Sequence, residues 1–131
     1  MNREEILARL RELREKNIIV PTDAMIKSDE QIEGIRQASI ANSKVLDAVS
    51  NAIRPLMTTE EIDQIVNRTS KELGGYPAPL GYEGFPKSCC TSINDQVCHG
   101  IPSKKDILMP GDIVNVDCTT RLNGYYGDAS R

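Results

Sequence analysis

The chain has 131 residues, 39% hydrophobic and 27% charged, with 16 Lys and Arg against 19 Asp and Glu. That length supports one domain whose core removes about two thirds of the unfolded surface from water, so neither disorder nor a disulfide or metal staple is expected. A formal net charge of -3 leaves no excess cation for a phosphate backbone, and no stretch reaches the roughly 18 to 20 apolar residues of a membrane helix, which argues against a specific nucleic-acid partner and against a membrane span.

The opening MNREEILARLRELREK is amphipathic and charged rather than a signal peptide, which points to a cytoplasmic protein. A helix is predicted over about Arg3 to Lys16, with Ile6, Leu10 and Leu13 on one narrow stripe, ending toward Asn17 before the extended Ile18-Ile19-Val20-Pro21. A second helix starts at a capping box, Ser28 with Gln31, and carries Ile32, Ile35, Ala38, Val45, Val49 and Ile53 on a recurring face until Pro55 stops it. The third repeats the device with Thr58 and Glu61, then runs Ile62, Ile65, Val66, Thr69 and Leu73 into Gly74-Gly75, which suits a left-handed helix end. Glu60, Glu61 and Asp63 at the start of this helix, around its first turn, resemble a metal cluster only superficially. Acidic residues favour that turn because of the helix dipole.

The character of the chain changes at the glycine pair, and all five aromatic residues lie beyond it. GYPAPLGYEGFPK is too rich in proline and glycine for a helix or central strand and reads as a shaped loop. A short strand is expected at Ser88 to Ile93, a turn at Asn94-Asp95, and an extended piece at Gln96 to Gly100. The four cysteines, Cys89, Cys90, Cys98 and Cys118, contain an adjacent pair and no CxxC spacing, and read as reduced, buried thiols. The run IVNVDCTTRLNGYYGD reads as two strands joined at Asn123-Gly124.

A two-residue turn there pairs Leu122 with Tyr125, Thr119 with Asp128 and Asp117 with Ser130, and so places Asp117 and Asp128 on one face as diagonal neighbours, with α-carbons about 7 to 8 Å apart. Like charges in that position are destabilising unless a cation or proton separates them, so a metal site is one reading and a slipped register with no site the other. His99, the only histidine, lies in VCHGIP, where glycine and proline fix the backbone and aim the imidazole. It reads as ligand, proton shuttle or substrate partner, or as a satisfied core residue.

The two blocks GYEGFPKSCCTSINDQVCHGIP and GDIVNVDCTTRLNGYYGDAS closely resemble the type I methionine aminopeptidases, and the resemblance runs from about Ser28 to the last residue. It implies the pita-bread fold, an α/β (α+β) arrangement of helices packed on an antiparallel, curved sheet, with residues 1–27 as an N-terminal extension of helix and linker and 28–131 as the N-terminal half of the catalytic domain. The implied activity is removal of the initiator methionine from nascent polypeptides. Residues 1–27 lie outside the strong resemblance and read first as a helix packed against the body, with contact to a partner such as the ribosome as the alternative. By position, Asp117 resembles the carboxylate that chelates one metal and Asp128 the one that bridges two. His99 resembles the pocket histidine beside the scissile amide, and Tyr82, Phe85 and Cys90 the lining for the methionine side chain. The cofactor implied is a pair of divalent ions, Co, Mn, Fe or Zn.

The family's other ligands, one histidine and two glutamates, and its second active-site histidine come from a second half. The expectation is therefore an N-terminal half, inactive by itself, holding metal weakly or not at all, prone to self-association along an open sheet edge, and with Asp128 on a strand that frays unless tied down. Two alternatives share the fold, a non-catalytic interaction module and a proline-specific peptidase relative.

Overall fold

A computed structural model describes residues 1–22 and 25–131. Residues 23 and 24, part of the expected linker, lie outside the described residues. Two compact units are present, Met1–Glu33 and Gly34–Arg131.

In the first unit, α1 (Arg3–Glu15) begins at Asn2, whose side chain accepts from the Glu5 N–H while Glu5 accepts from the Asn2 N–H, the reciprocal capping that satisfies two otherwise orphaned donors. It ends before Asn17, which takes φ 58°. None of its residues is buried. Ser28 and Gln31 form the second capping box, with the Ser28 N–H donating to Gln31 Oε1 at 2.8 Å and the Gln31 N–H to Ser28 Oγ at 3.3 Å.

From there α2 (Asp29–Ala52) runs 24 residues. Its buried residues are Ala38, Ala41, Asn42, Val45, Leu46 and Val49. Ile32 and Ile53, expected on the apolar face, are 52% and 36% exposed, because burial is confined to the stretch from Ala38 to Val49.

The sheet is antiparallel. The central strand β3 (Val114–Leu122) pairs with β4 (Tyr125–Ser130) along one edge; on the other, β2 (Cys90–Ile93) covers its first half and β1 (Tyr76–Pro77) its second. The hairpin register is the one that a two-residue Asn-Gly turn dictates, Leu122 to Tyr125, Thr119 to Asp128 and Asp117 to Ser130. Asn123 and Gly124 take φ 50° and 85°, so both central residues are left-handed, as the twist-matched hairpin turn requires. Arg131 continues the ladder by exchanging backbone hydrogen bonds with Val116, and its guanidinium donates to Asp47 Oδ1 at 2.8 Å and Ser50 Oγ at 3.2 Å. The strand carrying Asp128 is thus tied down at its far end, which removes the expected fraying.

Alternate residues of β3 face the helices: Val116, Cys118 and Thr120 are buried while Asp117 and Thr119 are only partly so. Val116 and Cys118 join Val45, Leu46 and Val49 of α2, Ile62 and Val66 of α3 (Thr59–Glu72), and Met57, Cys89 and Leu108 in one core. Asn42 is the polar pin of this layer. Its Nδ2 donates to the Cys118 carbonyl and its Oδ1 accepts from the Thr120 hydroxyl, both at 2.9 Å. The helix backbone also touches β4 directly, since a Cβ on Gly127 would stand 2.3 Å from the Ala38 carbonyl oxygen.

Capping of α3 by Thr58 and Glu61 is reciprocal, as the sequence predicts. Asp63, which follows the acidic first turn of Glu60 and Glu61, is not a surface residue. It is 8% exposed, and its Oδ1 accepts from the Ser88 N–H at 2.6 Å, so α3 is fastened to the segment entering β2. Burial pushes the Asp63 carboxyl above its ordinary range, opposed by that hydrogen bond. Ser88 and Cys89 precede the strand rather than forming it.

Candidate functional site

The other face of the sheet borders a cleft of about 960 Å³. Because residues directly opposite one another in a ladder share a face, Asp117, Thr119 and Arg121 of β3 stand with Asp128 and Tyr126 of β4, and with Cys90 of β2 and Tyr76 of β1. All seven line the cleft. Tyr82, Phe85 and His99, singled out in the sequence, line it too. Every residue that the resemblance marked is therefore brought to one cavity, although Tyr82 and Asp128 lie 46 positions apart in the chain.

The loop residues are held by backbone geometry that the sequence only hints at. Gln96 to Gly100 was expected to be extended; instead, it curls back. The Gln96 N–H donates to the Ile93 carbonyl and its side chain accepts from the Ile93 N–H, each at 3.0 Å, closing a tight turn. The Gly100 carbonyl then accepts from the Thr91 N–H at 2.8 Å. A Cβ at Gly100 would lie 1.9 Å from the Thr91 carbonyl oxygen, so only glycine fits there. His99 takes φ 56°, left-handed backbone that turns the histidine toward the cleft.

The electrostatics of the sheet face follow from its two carboxylates. Burial raises the Asp117 carboxyl above its ordinary range; the charge of Asp128 adds to the rise, and His99 opposes it. Asp128 is exposed, and the Thr119 hydroxyl donates to its Oδ1 at 2.7 Å. Thr119 was not singled out in the sequence, although its position directly opposite Asp128 was the available signal. Neither thiol of the adjacent pair is poised as a thiolate. Burial raises Cys90, with a further push from the Asp117 charge, and Cys89 is raised by its hydrogen bond with Cys118 and by burial. A neutral thiol at Cys90 serves as a soft apolar wall rather than a nucleophile. The expectation of four buried cysteines holds for Cys89 and Cys118 only: Cys90 is partly exposed in the cleft and Cys98 is exposed.

Two carboxylates on one face, one fixed by a hydroxyl and the other raised by burial and by its neighbour's charge, suit a hard or borderline divalent cation as part of an oxygen-rich shell. They do not complete one. Among the described residues no group of three or more His, Cys, Asp or Glu is placed to hold a metal ion.

Known proteins agree with this architecture. The sequence profile of metallopeptidase family M24 matches residues 33–131. The mitochondrial methionine aminopeptidase 1D of Danio rerio is 50% identical over 105 residues, which are 80% of this chain and 31% of that relative. Among solved structures, a methionine aminopeptidase from Rickettsia prowazekii superposes with TM-score 0.78 at 42% identity, covering 81% of this chain and 42% of that one. An X-Pro aminopeptidase from Thermotoga maritima shares the fold alone, at TM-score 0.66 and 24% identity over 82% of this chain and 29% of that one. The chain thus spans less than half the length of these relatives, with the helices and antiparallel sheet of the pita-bread fold. On its sequence and its architecture together, the chain belongs to metallopeptidase family M24.

Proposed function

We propose that this chain carries part of the active site of a metal-dependent methionine aminopeptidase, acting on the amino ends of nascent polypeptides. The observation supporting it most strongly is the convergence of Asp117 and Asp128 on one sheet face, in a cleft that His99 also lines. In this reading Asp117 and Asp128 hold the cations, a pair of divalent ions drawn from Mn, Fe, Co and Zn. Cations in such a site supply Lewis acidity and a lowered water pKa. Further ligands come from a second pita-bread half.

The chain's own side chains do the rest. Tyr82, Phe85 and Cys90 offer a soft, largely apolar lining that accepts an unbranched thioether by shape and polarizability. Thr119 keeps Asp128 oriented toward the cleft. His99, aimed by its left-handed backbone, donates a ring N–H to the substrate near the scissile amide. Residues 1–27 precede the matched family region in sequence and are a candidate contact for the ribosome. Strand β4, paired on one side only, is the edge along which two copies associate. Four free cysteines favour a reducing compartment such as the cytoplasm. No helix of the described residues is long and apolar enough to cross a membrane.

Calorimetric titration with manganese tests the reading. Binding is expected in the wild type, weak for want of further ligands, and lost in Asp117→Ala and in Asp128→Ala with folding unchanged by circular dichroism. Equal binding by the wild type and the double variant would sink it. Met-Ala against Xaa-Pro peptides separates methionine from proline specificity.

A further inference from the structure

One charged group on the cleft wall has no part in metal binding or in holding the methionine side chain. Glu83 lines the cleft at the tip of a tongue, residues 81–85, closed at its base by the Gly81 N–H donating to the Phe85 carbonyl at 2.8 Å. The Phe85 N–H donates to the Tyr82 carbonyl at 2.8 Å, and the Tyr82 N–H to the Pro79 carbonyl at 3.0 Å, so the tongue is a built turn. Gly81 and Gly84 each take φ 84°, where glycine is at home. Glu83 takes φ 47° and ψ 31°, left-handed backbone that a residue with a Cβ disfavours. Glycine would relieve that strain, yet a glutamate occupies the position.

Its carboxylate has no hydrogen bond or ion pair among the described residues. The cation nearest in sequence, Lys87, is engaged by Glu60. The cation that lines the cleft, Arg121, lies over the Tyr126 ring at 5.8 Å to its centroid. A left-handed residue with an unpaired charge, held on a rigid turn in a binding cleft, is the kind of strained position that structures keep for contact with a ligand.

We propose that Glu83 is a specificity-determining residue, selecting peptides that carry lysine or arginine within the three residues after the methionine. The proposal rests on the reading of the cleft as an aminopeptidase site. In that reading Tyr82 and Phe85, one on each side of Glu83 along the tongue, take the first side chain of the substrate. A charge on the same tongue then meets the next residues of the peptide. An extended peptide advances roughly 3.3 Å per residue, so long cationic side chains from several successive positions can reach it.

Competition binding to the manganese-loaded protein provides the test, using Met-Ala-Lys-Ala, Met-Ala-Glu-Ala and the N-acetylated form of the first. At roughly 50 mM salt the free lysine peptide is expected to bind about three- to fivefold more tightly than the glutamate peptide. The ratio should shrink toward one at roughly 1 M salt, as an exposed charge pair demands. It should also fall to about one in Glu83→Gln and invert in Glu83→Lys. Glu83→Gly, which frees the backbone as well as removing the charge, should lose the preference while keeping the fold. Equal binding of the two free peptides to the wild type, or a ratio that survives in Glu83→Gln, overturns the proposal and leaves the aminopeptidase reading standing. Equal binding of free and acetylated lysine peptides shows that the cleft does not hold a free amino end, and overturns both.

Discussion

The two faces of β3 differ in how their polar groups are satisfied. Toward the helices, the one large polar side chain, Asn42, spends both ends of its amide on Cys118 and Thr120, and the backbones of α2 and β4 touch at Gly127. Toward the cleft, Asp117 and Asp128 repel each other, Glu83 has no partner among the described residues, and His99 and Glu83 occupy left-handed backbone. A surface that only has to pack meets its large polar demands internally, leaving among the described residues only the small hydroxyls of Ser70 and Thr91 without a partner. A surface that has to bind leaves some such demands open for a partner to fill.

Four perturbations probe that contrast, taken from the largest expected effect down. Gly127→Val drives a side chain into the α2 backbone at Ala38 and should lower stability by about 3 kcal/mol or more, seen as a shift of the urea midpoint; an unmoved midpoint would show that the two layers are less tightly joined than the Gly127 contact implies. Asn42→Ala strands the buried Thr120 hydroxyl and should destabilise by about 2 to 3 kcal/mol, with Asn42→Leu/Thr120→Val recovering part of it. On the cleft side the sign reverses. Glu83→Gly should raise stability by about 0.5 to 1 kcal/mol, the relief of left-handed strain less the greater entropy of glycine in the unfolded chain.

The smallest effect is in pH. The Asp63 carboxyl is raised by burial, so its contribution to stability is present in full at acid pH and fades as pH rises through its folded pKa. Asp112 behaves oppositely. The Asn94 side chain and the Met109 N–H hold it below the ordinary range, so its contribution is present near neutrality and lost as pH falls through its folded pKa. Relative to the wild type, Asp63→Asn should gain stability with rising pH and Asp112→Asn should lose it. Parallel curves for the two variants would refute the assignment.

Much of the fold is legible because its signals are local. The capping boxes at Ser28 and Thr58 are read from side chains three residues apart, and Asn123-Gly124 fixes a register that then places Asp117 and Asp128. Asp63 was obscured by the same kind of signal. An acidic residue near a helix start has a sufficient surface explanation, and only the approach of Ser88 from 25 residues away shows that it is buried. His99 and Glu83 were illegible in another way, since neither residue type advertises left-handed backbone and the neighbouring glycines attract the reading instead. Tyr82, Phe85 and Cys90 entered through resemblance and His99 first through its Gly-Pro flank; their meeting with the two aspartates depends on a chain reversal that no short motif specifies.

The seating of Gly100 against the Thr91 carbonyl makes the imidazole beside it a passenger of β2. Whatever displaces that strand, a molecule pressing on Cys90 for instance, carries the ring along. With one histidine in the chain, its proton resonances form an uncrowded spectroscopic gauge, able to register occupancy of the thiol-lined wall without any label.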